Sequence, residues 1–296
     1  MSTHKSRRTP ALALAEAIPQ PPALSHRGGS IRVELLRQVK RRRTQYGLGA
    51  MAAIPVVLAV VLLLTGGTQA GGGTPLLVDL ATRSGVNFTL FATFVMSQFF
   101  LIVVVALFNG DTISSEASWG SLRYLLIRPL ARGTLLRVKL SVALLLSVAA
   151  SLLIPLTALA VGVVAFGSGS LSTPIGAQLT SGESYRLLAF MVGYITWQMV
   201  TVASVAFYLS VRTGAPLGAV GGTVVAIIVM QVLDAIPSLG SLRNVLPTHY
   251  ALSWFGLLSS PQSTGDMATG LLIQVPYALV LLGLAWRRFA RKDILS

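Results

Sequence analysis

The sequence predicts an all-α membrane protein: six transmembrane helices, an N-terminal interfacial helix ahead of them, and one long patterned loop on the basic side. Three observations carry this. Hydrophobic residues make up 53% of the 296-residue chain and charged ones only 11%, against about 25% charged in a soluble domain. The mean hydropathy is +0.74, and several apolar runs reach the roughly 20 residues that a helix needs to cross the hydrocarbon of a bilayer. Finally, 20 of the 23 Lys and Arg fall before the first apolar run, between the second and third, after the fourth, or after the last. Only Arg83, Arg186 and Arg243 remain for the opposite side. That asymmetry follows the positive-inside rule, so the net charge of +14 reads as orientation and not as a nucleic-acid-binding surface.

Residues 1–29 are rich in Pro, Ala, Ser and Arg without helical periodicity and read as a disordered tail. In 30–46, SIRVELLRQVKRRRTQY, Ile31, Leu35, Leu36 and Val39 share one helical side while arginines and lysines occupy the rest, the pattern of a helix lying in the interface. The six-span domain then fills 47–296. Its spans are expected at about 47–66, 88–108, 140–166, 187–211, 214–233 and 268–286. A signal peptide is a poor account of the first, because the basic region before it is too long and further spans follow. Pro155 is expected to kink the third. In the fifth, Gly214, Gly218 and Gly222 recur every four residues, a spacing that suits close helix packing. Residues 237–266 hold three prolines and an aromatic stretch, and read as a re-entrant or interfacial hairpin. An even number of spans puts both basic termini on the cytoplasmic side of a multi-pass protein of the plasma (inner) membrane.

The loop between the second and third spans, NGDTISSEASWGSLRYLLIRPLARGTLLRVKL, is patterned throughout. Ser115 is placed to cap a helix with Glu116 in its first turn, after which Trp119, Leu122 and Leu126 form an apolar ridge and Pro129 stops the helix. Such a ridge, flanked by Arg123, Arg128 and Arg132, suits a groove on a partner protein as well as an anionic lipid surface.

This loop resembles the signature of the type-2 ABC exporter permease family. The matching positions are Ile113, Glu116, Gly120, Ser121, Leu122, Leu125, Leu126, Pro129, Leu130, Ala131 and Arg132, followed by Lys139. Ser121 stands where that family usually has Thr, Ala117 where Arg is frequent, and the spacing to Lys139 is longer by one. The resemblance implies that the loop forms coupling helices docking on a separate ABC ATPase subunit, that the N-terminal helix is the family's elbow helix, and that two permease copies pair as a homodimer. It also implies that ATP and Mg are held by the partner, with no cofactor in this chain.

The residues agree with a non-catalytic role. No G-x-x-x-x-G-K-[ST] phosphate loop, H-E-x-x-H or G-x-S-x-G occurs, and His4, His26 and His249 lie far apart, so no metal site is expected. The spans as drawn hold no ionisable residue, which argues against proton coupling. In the fourth span Tyr194, Gln198, Thr201, Ser204 and Tyr208 follow helical spacing. They suit interhelical hydrogen bonding, or, more sharply, a substrate path. The reading from another class is a six-span scaffold or assembly factor that anchors a cytoplasmic partner without transport.

Overall fold

A computed structural model describes residues 31–65, 77–118, 132–173, 178–259 and 261–291. The helices in chain order are α1 (Ile31–Val39), α2 (Arg42–Thr65), α3 (Leu77–Ala81), α4 (Gly85–Gln98), α5 (Phe100–Ser118), α6 (Arg132–Phe166), α7 (Ser181–Thr213), α8 (Pro216–Asp234) and α9 (Gly265–Ala290). Two 3₁₀ segments, Pro237–Val245 and Ser253–Leu258, lie between α8 and α9. The protein is an all-α membrane protein, and among the described residues six helices, α2 and α5 to α9, are long and apolar enough to cross a membrane.

The bundle has a centre and a rim. In their most apolar windows α5 is 78% buried and α7 67%, whereas α8 and α9 are each 17% buried. A helix apolar on all sides yet exposed within its own chain must meet lipid or another chain. The core therefore forms on α5 and α7, with Met96, Leu101, Val105, Met191, Ile195 and Val202 in one cluster.

Local chemistry sets the helix ends. Thr180 and Glu183 form a capping box at the start of α7, satisfying backbone donors that no preceding turn reaches. The helix stops at Gly214, whose φ of +63° is a left-handed conformation that glycine adopts without a Cβ clash, and Pro216 then opens α8. Gly214 is thus the turn between the fourth and fifth spans and not part of a packing stripe. Gly218 and Gly222 are largely exposed, and of the expected seam Gly222 alone approaches another helix closely, an added Cβ there coming 3.2 Å from Leu209 of α7. The buried face of α8 is Ala219, Thr223 and Ile227. Its close approach relies on Gly110 of α5, where an added Cβ would come 3.1 Å from Val220.

Two other expectations are corrected. The second span is two helices, because Phe99 (φ −141°, ψ −57°) interrupts the run between α4 and α5. The second of these continues through Ser118, so Ser115 lies inside a helix, its hydroxyl donating to the Asp111 carbonyl at 2.6 Å, and caps nothing. That helix consequently contains Asp111 and Glu116, both buried, where the span as drawn from sequence ended before any charge. Pro155, the position where a kink is expected, lies inside α6 (Arg132–Phe166).

Candidate functional site

Two polar centres lie in the bundle. The first gathers at the arginine-rich end, where α1, the start of α2, α5 and the start of α6 meet. Lys139 Nζ stands 2.5 Å from Glu116 Oε1 and 3.1 Å from Glu34 Oε1. Arg37 reaches the same Glu116 oxygen at 2.7 Å. Beside them, Asp111 receives Arg43 at 2.8 Å and Arg41 at 3.2 Å, and Arg41 also donates to Ser115 Oγ at 3.3 Å. The side chains of Lys139 and Glu116 are 1% and 2% exposed. Taking such ions from water costs several kcal/mol each unless charge partners and hydrogen bonds replace the solvent. Here three acids and four bases from three stretches of chain supply that replacement. Burial alone would raise the Glu34 carboxyl, but the Lys139 ammonium, with Arg37 and Gln38, outweighs it and holds the group below the ordinary carboxylate range.

Packing carries the charged centre into the bundle. Ile113, one turn from Glu116, is fully buried with Leu136 of α6, Phe207 and Val211 of α7, and Ala285 and Phe289 of α9. The backbone N–H groups of Ile113 and Ser114 both donate to Ser210 Oγ of α7 at 3.0 Å. A displacement at Glu116 is therefore felt by α6, α7 and α9.

The second centre is uncharged and deeper. Tyr194 donates to the Tyr250 carbonyl at 2.6 Å, and Gln198 Nε2 donates to the Tyr194 hydroxyl at 2.6 Å. Thr201 donates to Gln274 Oε1 of α9, and Gln274 Nε2 donates to Gln198 Oε1 and to the Pro247 carbonyl. The network ties α7, α9 and the segment 247–250 together. Gly270 lets α9 come this close, since a Cβ there would overlap the Tyr194 hydroxyl and Tyr250. At the adjoining rim, Asp234 at the end of α8 meets His249 at 2.5 Å and Arg243 at 3.3 Å.

Of the residues singled out from sequence, Tyr194, Gln198 and Thr201 come together in this network. Ser204 is buried and donates back to the Val200 carbonyl of its own helix. Tyr208 lies apart, against Arg212 and the Phe207 cluster. Ile113 and Glu116 sit in or beside the charged centre. Trp119, Gly120, Leu122, Leu125, Leu126 and Pro129, the side chain of Arg132, and the tail 1–29 lie outside the described residues. Sequence reasoning missed Glu34, Asp111 and Gln274. The available signals were a single acid in a basic helix, an acid directly after an apolar run, and a single amide in the apolar run LLIQVPYALVLL. Among the described residues no group of three His, Cys, Asp or Glu could hold a metal ion.

A family model described as a protein of unknown function (DUF2705) matches residues 76–295, a range that takes in α3 to α9. No curated protein matches the chain.

Proposed function

The chain belongs to the DUF2705 family, whose description assigns no function, and from its own residues we propose that it is the permease subunit of an ATP-driven ABC exporter. In this reading a separate nucleotide-binding subunit hydrolyses ATP and a second permease copy completes the pathway. The arginine-rich end faces the cytoplasm of a plasma (inner) membrane, and the chain itself catalyses no reaction.

The observation that supports the reading is the ion network around Glu116. The family-like signature holds an acid at one end, Glu116, and a base at the other, Lys139, with the docking loop strung between them. These two groups are 2.5 Å apart and nearly solvent-free, so α5 and α6, the helices on either side of the signature's middle, are clamped to each other at one point. The same Glu116 oxygen takes Arg37 of α1, which joins the elbow helix to that point. A push on the loop by a partner then reaches α5, α6 and α1 together, because a buried, ion-paired cluster moves as a unit more cheaply than it separates. Tilting α5 moves α7 through Ser210, and through α7 the neutral network deeper in the membrane.

The test is co-reconstitution with an ABC ATPase captured with this chain from its native membrane. Stimulation of that ATPase by a transported compound is expected, and Glu116→Ala or Leu122→Asp should abolish the stimulation while leaving basal hydrolysis. Normal coupling in both variants would defeat the docking role. An ATPase that binds the chain but is stimulated by no compound would favour the scaffold reading.

A further inference from the structure

A cavity of about 40 Å³ lies where α4, α5, α7, α8, α9 and the segment after the first 3₁₀ helix converge. That exceeds the roughly 10–15 Å³ that one water molecule requires on this measure. Four glutamines from four helices line it: Gln98, Gln198, Gln231 and Gln274. Two of its polar groups are unspent. Thr248 Oγ is buried with no hydrogen-bond partner among the described residues, and the Gln231 carboxamide, half-buried on α8, has none among them either. Ser97 and Gln98, also on the wall, end α4 at the Phe99 break. Irregular backbone at membrane depth persists where it is buried in protein or lines a polar cavity. The break, the unspent groups and the four amides thus meet in one place.

The rest of the wall decides the occupant. Among the described residues no Asp, Glu, Lys, Arg or His lines the cavity, and Ile102, Ile195, Met199, Val202 and Ile227 form its apolar side. Amides and hydroxyls both donate and accept, so they replace water around a neutral hydroxyl or amide. They supply no counter-charge, and an ion brought here would lose its hydration without a partner. We propose that this cavity is a hydrated site for an uncharged, hydrogen-bonding group on a partly apolar molecule, and that it excludes ions. As a step on an export path the site rests on the permease reading; as a hydrated, charge-excluding pocket it does not.

The chain contains no cysteine, so single thiols can be read without background. In Gln231→Cys and Gln98→Cys, reconstituted without any ATPase, the rate of modification by neutral methyl methanethiosulfonate is compared with those of the sulfonatoethyl and trimethylammonioethyl reagents. Each rate is normalised to the reagent's rate with a free thiol. Val229→Cys, on the exposed face of α8, is the lipid-facing control. The attacking species is the thiolate, which forms only where water reaches the sulfur. Both glutamine positions should react with the neutral reagent at least about tenfold faster than position 229 and at least about tenfold faster than with either charged reagent, as expected of a wet site without counter-charge. Rates no higher than at position 229 would mean a dry cavity, and equal normalised rates for charged reagents would mean that ions enter; either overturns the proposal. Because no ATPase is present, failure here leaves the coupling result standing, and failure of coupling leaves this result standing.

Discussion

The charged centre at the arginine-rich end and the neutral centre deeper in the bundle solve the same problem with different chemistry. Each must bury polar side chains among helices that are otherwise apolar. Near the end of the helices the chain uses full charges, Glu34, Asp111 and Glu116 against Arg37, Arg41, Arg43 and Lys139, and several of the arginines keep part of their surface outside the bundle. At depth it uses Tyr194, Gln198, Thr201 and Gln274, none of them charged. Charges are affordable only where snorkelling arginines reach water or headgroups, whereas amides and hydroxyls carry specificity at depth for a smaller desolvation cost. The two centres should therefore answer differently to mutation, salt and pH.

The largest difference is expected at Lys139. Changing it to Met removes the buried ammonium closest to Glu116 and leaves a half-exposed arginine as its ion partner among the described residues, which should cost about 3–5 kcal/mol of stability. Thermal unfolding in detergent would show it as a large drop in midpoint. If the loss arises from the orphaned acid, Lys139→Met with Glu116→Leu should recover most of it, because an apolar pair of similar volume is often neutral or better. A double variant no more stable than the single one would break the contrast drawn between the two centres.

The neutral centre should respond more mildly. Gln274→Leu removes the bonds to Thr201, Gln198 and the Pro247 carbonyl, yet hydrogen bonds between membrane helices average about 0.6 kcal/mol and reach about 1.7. A loss of about 1–2 kcal/mol is expected for the three together. It should not change between low and high salt, since no ion is involved. A loss as large as that of Lys139→Met, or a salt-dependent one, would erase the distinction.

How much of this was legible in the chain follows from the range of the interactions. Lipid demands long apolar runs, so the six spans can be read locally, and the lopsided arginines can be counted. The capping box at Thr180 and Glu183 and the turn at Gly214 to Pro216 are equally local. The Phe99 break leaves no such mark, because Ser97-Gln98-Phe99-Phe100 contains neither Pro nor Gly and hydropathy runs straight through it. Ser115 looked like a cap because its hydroxyl is suited to one; the helix continues instead because Glu116 finds Lys139, 23 residues on, and Arg37, 79 residues back. The glycine pattern at 214, 218 and 222 has the right spacing for a seam, but spacing does not say which face of a helix is turned inward. For the neutral centre, helical spacing on α7 brought out Tyr194, Gln198 and Thr201, but their partners Gln274, Tyr250 and Pro247 come from other segments.

The smallest effect expected is also the one that separates the two centres by pH. Glu34 titrates below the ordinary carboxylate range in the folded protein because Lys139 and Arg37 favour its charged form over the cost of burial. In the unfolded chain the same carboxyl takes up its proton first as the solution is acidified, so the unfolded state gains and the protein loses stability. The contribution is complete above the ordinary carboxylate range and disappears as pH falls through the lowered folded value. Unfolding midpoints of wild type and Glu34→Gln, compared from about pH 6 down to about pH 3, should therefore converge on the acid side, the wild type falling more steeply. Gln274→Leu should run parallel to wild type over the same window, since neither residue titrates. Parallel curves for Glu34→Gln would mean that Lys139 is held by Glu116 and that α1 rests on the bundle through Arg37, making α1 a weaker member of the cluster than its two contacts imply.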